Sequence, residues 1–172
     1  MTSPERVFHA DAILGVLSEY RVDFVVIGGI AVQAHGYLRS TKDLDIVARP
    51  SALNLSRLSE ALAALEARPR GSARVNLGDP NQLRRSPLIP VMTSAGPLDL
   101  LNLEHLAGAP RDYDALCERA LKVDLPVGTV AVAGLSDLIR MKRAAGREHD
   151  LADIEALTRR PDDRADGRGE AT

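Results

Sequence analysis

Aromatic residues and cysteine are scarce in this chain of 172 residues, which has no tryptophan, three tyrosines, two phenylalanines and one cysteine. The lone Cys117 cannot form an internal disulfide, and its apolar neighbours in the sequence indicate a small buried side chain rather than a nucleophile. Tyr20, Tyr37 and Tyr113 are too scattered to form the aromatic platform on which single-stranded nucleic acids stack. Neither a disulfide-held fold nor a stacking surface is therefore expected.

A dominant charge and a long apolar run are also missing. The 22 basic and 24 acidic residues leave a formal net charge of −2, so any contact with nucleic acid needs a local basic patch. No apolar run approaches the roughly 20 residues that span a bilayer. The first residues, Met1 to Arg6, lack the charged-then-apolar order of a signal peptide. We therefore expect a cytoplasmic protein that makes no membrane contact.

The chain does contain enough apolar sequence, 45% of its residues, for one domain with a buried core. Its periodicity predicts an α+β (mixed α/β) fold, in which a small mixed sheet carries helices on one face and a short helical C-terminal lobe closes a cleft. Helices are predicted from Ser3 to Tyr20, from Ile30 to Ala34, over 51–68, 112–121 and 148–159, and from an N-cap at Ser136. Strands are predicted at 24–27, 44–48, around Val75, at 88–93, 98–101 and 129–132.

Two carboxylates stand out on the second predicted strand. Asp43 and Asp45 are two residues apart, so their side chains point to one face about 7 Å apart along the backbone, close enough to converge on a metal pair. An isolated pair of this kind more often marks a solvated strand face. Here Gly28-Gly29 lies at the end of the preceding strand, where bare backbone N–H groups can hold phosphates. This combination favours a nucleotide site.

A third acid, Asp99, interrupts an otherwise apolar strand that we place beside the strand of Asp43 and Asp45. An unpaired buried carboxylate costs several kcal/mol, so such an acid needs a cation, a hydrogen-bond partner or exposure at a sheet edge. Two interpretations stay open: a carboxylate that joins the other two, and an acid at an edge that faces water.

These residues together resemble the DNA polymerase β-like nucleotidyltransferase superfamily: Gly28-Gly29 after a strand, then Asp43-Leu44-Asp45 between hydrophobic residues, then Asp99 on a later strand. Many members carry Gly-Ser where this chain has Gly-Gly. The sequence around these motifs is most similar to the bacterial AbiEii-type group, which includes the nucleotidyltransferase toxins of type IV toxin–antitoxin systems. The residues that carry this closer resemblance are Ile30-Ala31-Val32, His35-Gly36, Arg39 and Thr41.

The C-terminal half agrees with this resemblance. Lys142 is followed, after ten intervening residues, by Asp153, which is similar to the lysine-to-aspartate motif of the AbiEii-type group. The resemblance extends over roughly residues 20–158. It implies a nucleotidyltransferase core in residues 1–102, a C-terminal helical lobe of the same compact unit in residues 103–158, and a charged, disordered tail in residues 159–172.

The resemblance also implies a reaction and its cofactors. A nucleoside monophosphate is transferred from an NTP to an acceptor hydroxyl with release of pyrophosphate, and two Mg²⁺ ions, for which Mn²⁺ can substitute, assist. Asp43 and Asp45 are expected to bind both metals. Asp99 is expected to bind the catalytic metal and to accept the proton of the attacking hydroxyl.

The remaining candidates are implied as nucleotide-binding residues. Gly28 and Gly29 bring backbone amides to the triphosphate, and Lys142 contacts its phosphates as a point charge. Arg39 and Thr41 either contact phosphate and brace their loop or simply pin that loop to an acid. Asp153 either orients the lysine or holds the base and ribose. Together with the three carboxylates, these six residues form a predicted site of nine.

The acceptor is predicted less directly. The resemblance implies a toxin-type enzyme acting on a tRNA 3′ end, with a cognate antitoxin as a further partner. The alternatives are a small-molecule (aminoglycoside-like) nucleotidyltransferase, a protein-modifying one, and a non-catalytic nucleotide-binding module. Acids near the acceptor favour a cationic drug, and an arginine-lined groove favours RNA. The arginines proposed for an acceptor strand are Arg68, Arg70, Arg74, Arg84 and Arg85, with Arg140, Arg143 and Arg147 as a second, more solvated set.

Overall fold

A computed structural model describes residues 8–159 of the chain. Its helices are α1 (Ala10–Glu19), α2 (Gly28–Ala34), α3 (Ala52–Ala64), α4 (Pro80–Arg85), α5 (Tyr113–Glu118), α6 (Leu135–Ala145) and α7 (Glu148–Thr158), with one 3-10 turn at Leu103–His105. Its strands are β1 (Phe24–Ile27), β2 (Leu44–Ala48), β3 (Arg68–Pro69), β4 (Leu88–Thr93), β5 (Gly96–Leu101), β6 (Leu121–Leu125) and β7 (Gly128–Val132). The predicted mixed α/β class is confirmed.

All seven strands form one mixed sheet in the order β3-β4-β5-β2-β1-β7-β6. β2 runs parallel to β5 and β1 runs parallel to β7, whereas the other neighbours are antiparallel. The register pairs Asp45 with Ile27 on one side and with Asp99 on the other. The strand of the third acid therefore lies beside the first carboxylate strand, as predicted, and both acids project from the same face of the sheet.

Helices cover both faces of this sheet, which corrects the expectation that they pack against one. The main core lies between α1, α3 and one face, where Leu17, Leu58 and Ile46 are fully buried or nearly so. On the opposite face, Val25 and Val47 pack with α5 and with Met141 of α6. Because the two strand faces alternate, β1 is buried on both sides, which explains its continuous run of four apolar residues.

Several element boundaries differ from the predictions. The predicted helix start at Ser3 lies outside the described residues, and the described part of α1 begins at Ala10. α2 begins at Gly28 rather than Ile30. α6 takes Gly134 as its N-cap, so Ser136 lies inside the helix and does not cap it.

Between α3 and β4 the chain is more regular than the polar sequence indicated. α3 ends at Ala64, short of residue 68, because Glu66 adopts a left-handed conformation with φ of 52°, and the next residues form β3. Val75 forms no strand. Residues 80–85 form α4 instead of loop, with Asp79 accepting a hydrogen bond from the N–H of Asn81 and proline in the first turn.

Residues 103–158 are not wholly helical. The predicted helix over 112–121 ends at Glu118, and Leu121 begins β6, which pairs with β7 to form a hairpin beside β1. This segment therefore extends the sheet as well as covering the site. The predicted disordered tail lies outside the described residues except for Arg159. No helix within residues 8–159 combines the length and apolar character needed to cross a membrane.

Candidate active site

A cavity of about 410 Å³ lies where the end of β1 meets the start of β2. Seven of the nine predicted site residues line it: Gly28, Gly29, Arg39, Asp43, Asp45, Asp99 and Lys142. The other two stand directly behind the wall. Thr41 donates its hydroxyl to the backbone oxygen of Asp43 at 3.2 Å, and Oδ2 of Asp153 forms an ion pair with the Lys142 ammonium, 2.7 Å away. The fold therefore gathers residues that are more than a hundred positions apart in the sequence.

The glycine pair forms the floor of the cavity and leaves no room for side chains. Gly28 has a φ of 70°, and a Cβ built on it would lie 2.1 Å from Oδ2 of Asp45. A Cβ on Gly29 would lie 2.8 Å from Oγ1 of Thr41 and 3.0 Å from Nη2 of Arg39. Gly28 is thus required by its backbone conformation and by the acid above it, and Gly29 by the loop that precedes β2.

Electrostatic repulsion is concentrated on Asp45. Burial raises the pKa of its carboxyl to about 7, and the nearby charges of Asp43 and Asp99 contribute to the increase, against the opposing effects of Arg147 and Lys142. Burial also raises the pKa of Asp99, again with a contribution from Asp43. A cation beside Asp45 and Asp99 would favour the ionised form of both carboxyls.

Asp99 already has a cationic partner. Arg70, which follows β3, donates from Nη2 to Oδ1 of this carboxylate, and its own backbone N–H donates to the oxygen of Pro90 at 2.8 Å. Pro90 pairs with Asp99 in the β4–β5 register. The arginine side chain therefore reaches the acid across the intervening strand.

The opposite wall is a buried ion-pair network between α6 and α7. Lys142 is 6% exposed, and its ammonium lies 2.7 Å from Oδ2 of Asp153 and 3.2 Å from Oδ1 of Asp150. Asp153 also accepts a two-pronged contact from Nη1 of Arg39, at 2.9 and 3.0 Å. The predicted option that Asp153 orients Lys142 agrees with this geometry, and the same acid ties the loop after α2 to α7.

Asp150 is fully buried at the start of α7, and it accepts from Nε of Arg147 at 2.7 Å. Although burial alone would raise its pKa, hydrogen bonds from Arg147 and Lys142 hold the pKa of this carboxyl below its usual value. The same contact raises the pKa of the Arg147 guanidinium. Both groups therefore stay charged at the cavity mouth.

Sequence reasoning missed four residues at this cavity or on its acids. Arg147, His149 and Asp150 line the cavity, and Arg70 holds Asp99. Arg147 had been grouped with a solvated basic surface, yet it acts on the charge of Asp45. The available signal was the cluster of charged residues from Arg147 to Asp150, at the start of α7. Apart from Arg70, the proposed acceptor-strand arginines Arg68, Arg74, Arg84 and Arg85 are exposed and absent from the cavity wall.

Outside the predicted set, His35 has a structural role. It occupies the C-cap position of α2, and its Nε2 lies 2.8 Å from the backbone oxygen of Ala133, beyond the end of β7. It does not line the cavity. The contact joins α2 to the far half of the sheet and so stabilises the glycine floor from behind.

The donor chemistry of Asp43, Asp45 and Asp99 fits a divalent cation. Carboxylate oxygens are the ligands that Mg²⁺ and Mn²⁺ prefer, and the mutual repulsion of these acids supplies the driving force. As the side chains stand, no three acidic, histidine or cysteine residues within 8–159 converge closely enough to hold a metal ion. Coordination of one cation by all three acids would therefore require at least one side chain to reorient, and the Asp99 carboxylate is paired with Arg70.

Two comparisons with solved structures support the fold. The antibiotic-resistance factor ANT(2″)-Ia, crystallised with adenylyl-2″-tobramycin, superposes with a TM-score of 0.56 at 14% identity, over 84% of this chain and 83% of that one. A nucleotidyltransferase-like protein from Paracoccidioides brasiliensis superposes with a TM-score of 0.54 at 14% identity, over 87% of this chain and 77% of that one. At such identities the likeness establishes the shared fold.

No protein with curated function matches the chain in sequence. A family model described as "Nucleotidyltransferase of unknown function (DUF6036)" matches residues 5–159, which includes every predicted site residue. The AbiEii-type subgroup is not the family that this comparison finds. The glycine floor, the three carboxylates and the covering lysine thus belong to an enzyme of the nucleotidyltransferase class, and the chain is a member of the DUF6036 nucleotidyltransferase family.

Proposed function

We propose that the protein is a divalent-metal-dependent enzyme that transfers a nucleoside monophosphate from an NTP to the 3′-terminal hydroxyl of an RNA, as the resemblance to tRNA-modifying toxins implies. One observation carries the proposal: three carboxylates, one just before β2, one on β2 and one on β5, line the same cavity as the bare glycine pair and a buried lysine. Such a cavity offers ligands for a cation and room for its triphosphate in the same place.

Each carboxylate has a proposed role. Asp43 and Asp45 hold the metal together with Asp99, and Mg²⁺, when bound, neutralises charge on the triphosphate and polarises the reacting phosphate. Asp99 lies on the neighbouring strand, and the raised pKa of its carboxyl suits it to accept the proton of the attacking hydroxyl. Its position next to Asp45 in the β2–β5 register supports this role.

The glycines and Lys142 are proposed to bind the triphosphate. Gly28 and Gly29 let the phosphates approach the main chain, because no Cβ intervenes. The Lys142 ammonium stabilises the charge that develops on departing pyrophosphate. Asp150 and Asp153 hold that ammonium in place, so we assign them and Arg39 a positioning role.

The acids of the cavity bear on the acceptor. Besides the three proposed metal ligands, the only acid that lines the cavity within residues 8–159 is Asp150, which is already paired with Lys142 and Arg147. With a cation on the three proposed ligands, the described cavity wall offers no unpaired carboxylate to a polycationic drug. This supports an acceptor other than an aminoglycoside, and the choice of a tRNA 3′ end rests on the resemblance.

A labelling assay tests the proposal. Purified protein is incubated with Mg²⁺, each α-labelled NTP in turn, and either total tRNA or a panel of aminoglycosides. We expect label on tRNA from one NTP, its loss in Asp43→Asn/Asp45→Asn, and its retention in Asp11→Asn, which removes an exposed acid on α1. Label on a drug, with none on tRNA, would overturn the RNA acceptor and retain the transfer reaction.

The toxin role is a finer part of the same proposal, with an antitoxin protein as the partner and the cytoplasm as the place of reaction. The resemblance to the AbiEii-type group supports it. Induced expression in a bacterium is expected to arrest growth, and Asp43→Asn/Asp45→Asn is expected to relieve the arrest. Unimpaired growth at equal expression of the wild type would contradict the toxin role and leave the enzyme assignment unaffected.

A further inference from the structure

Arg70 forms an ion pair with a carboxylate that the proposed chemistry needs as a metal ligand. Its Nη2 donates to Oδ1 of Asp99, whose side chain is only 19% exposed. Asp99 pairs with Asp45 in the β2–β5 register and is the acid that would complete a three-carboxylate site. The guanidinium puts positive charge against the carboxylate that a divalent cation would also need, so the two cations repel each other and compete for it.

The reach of this arginine is unusual for a residue at a sheet edge. β3 has two residues and is the outermost strand, so Arg70 lies two strands away from β5, a distance of about 10 Å at ordinary strand spacing. Its backbone is anchored at Pro90, and its side chain spans β4 to reach the acid. An exposed edge arginine normally extends into water, where its entropy and solvation are more favourable.

The contact is incompletely satisfied. Nε of Arg70 is buried and has no hydrogen-bond partner among residues 8–159. A buried donor without a partner costs free energy that the single contact with Asp99 must offset. The side chain as a whole is one-third exposed, so a path to solvent is open to it. The only hydrogen bond of the Arg70 side chain within residues 8–159 is therefore the one to Asp99, so this contact alone has to break for the side chain to move.

We propose that Arg70 is a built-in competitor for the metal: it neutralises Asp99 in the metal-free enzyme and must release this carboxylate before a divalent cation can bind all three acids. The inference rests on the proposed function, because it takes Asp99 as a metal ligand. It assigns to Arg70 the role of setting metal affinity, rather than the acceptor-strand contact predicted from the sequence. The absence of three converging ligand side chains within residues 8–159 agrees with a carboxylate that is held away.

The test measures Mn²⁺ binding to the full-length protein without nucleotide, by electron paramagnetic resonance of the free ion. We expect Arg70→Gln to tighten binding about fivefold or more, because the competing guanidinium is gone. Arg68→Gln is the matched control, since it removes an exposed arginine of β3, two residues before Arg70. It changes the net charge of the protein by the same amount but removes no contact with Asp99. Its effect should stay below twofold. In an Asp99→Asn background, Arg70→Gln should have no effect on Mn²⁺ binding.

The opposite results are equally definite. Unchanged or weaker Mn²⁺ binding by folded Arg70→Gln overturns the inference, and so does an equal gain in Arg68→Gln. Arg70→Lys, which retains the charge and loses the planar fork, gives a second comparison if glutamine disturbs β3; it should bind Mn²⁺ more tightly than wild type. A protein with the Arg70 effect but no transfer activity overturns the proposed function alone. A protein with transfer activity and no Arg70 effect overturns this inference alone.

Discussion

At the scale of single residues, the Asp45 carboxylate is held in a crowded and partly buried position next to other acids. Its carboxylate stands over the glycine floor, faces two other acids, and has its pKa raised to about 7 by burial and by those acids. The ionised form of such a carboxyl would be stabilised by a bound cation. It also makes the metal-free protein less stable than its apolar core would allow.

The cost of this crowding should be visible in the pH dependence of stability. Between about pH 4 and pH 7 the folded protein retains a proton on Asp45 that the unfolded chain, with a pKa of 3.8, releases. The free energy of unfolding should therefore fall as pH rises through this window. Asp45→Asn should flatten this fall and be more stable than wild type at pH 8 by roughly 1–3 kcal/mol, measured by urea unfolding without divalent metal. An unchanged pH profile in Asp45→Asn would refute this account.

Gly28 and Gly71, which share a left-handed backbone conformation, allow backbone strain to be separated from the steric requirement of the site. Their φ values are 70° and 66°, but a Cβ on Gly28 meets Asp45 at 2.1 Å, whereas a Cβ on Gly71 meets nothing within 4 Å. Gly71→Ala should cost about 1–2 kcal/mol of stability from the backbone alone. Gly28→Ala should cost more and abolish nucleotidyl transfer. Equal losses in urea unfolding and in labelling would show that the contact with Asp45 is unimportant.

At the scale of elements, the ion pairs of Asp153 hold α6, α7 and the loop after α2 together. Its carboxylate, which is almost fully buried, meets Lys142 and Arg39, two cations from different parts of the chain. The mobile parts of a cleft are usually those with few buried contacts. Here the network makes α7 a fixed wall of the cavity.

Removing the shared acid should therefore destabilise the protein much more than removing a surface acid of the same helix. Asp153→Ala leaves Lys142 buried beside a single remaining carboxylate and should lower the free energy of unfolding by about 3–5 kcal/mol. Glu155→Ala breaks an exposed pair with Arg159 and should cost less than about 1 kcal/mol. Thermal and urea unfolding of both variants measure the difference. Equal, small losses would mean that the network contributes little to holding α7.

At the scale of the whole molecule, the sheet crosses the boundary that the sequence suggested at residue 102. β7 comes from the C-terminal third of the chain and pairs with β1, so β1 becomes a central strand only when residues 128–132 are present. α5 and α6, which also follow this boundary, cover Val25 and Val47. The division into a core and a C-terminal lobe remains a prediction from the sequence. In the fold, both parts contribute strands to one sheet.

A fragment of residues 1–102 should consequently fail to fold cooperatively. It would expose the second face of the sheet and leave β1 as an apolar edge strand, paired with β2 on one side only. We expect broad urea unfolding by circular dichroism and a tendency to aggregate, in contrast to a single sharp transition for the full chain. A cooperative transition of the fragment would indicate that the β6–β7 hairpin is an addition to an independent core.

Much of this architecture was predictable because apolar periodicity reports burial. The alternation around Asp43 and Asp45 predicted β2, and the placement of the strand of Asp99 beside it is confirmed by the register. The β6–β7 hairpin was missed in part because its first strand is mostly exposed and has no clear apolar face. Arg70 and Arg147 could not be assigned, since their partners are set by strand order and by the angle of α7, which no local pattern records.

The narrow space above Gly29 has a consequence for the natural variation of this family. A Cβ at this position would lie 2.8 Å from the Thr41 hydroxyl and 3.0 Å from the Arg39 guanidinium, so a serine here cannot coexist with both side chains as they stand. Positions 29 and 41 should therefore covary: a chain that acquires serine at the first should carry alanine or glycine at the second, or a shifted loop. Gly-Gly with threonine at position 41, and Gly-Ser with a smaller residue there, would then be two sequence variants of the same proposed phosphate-binding turn.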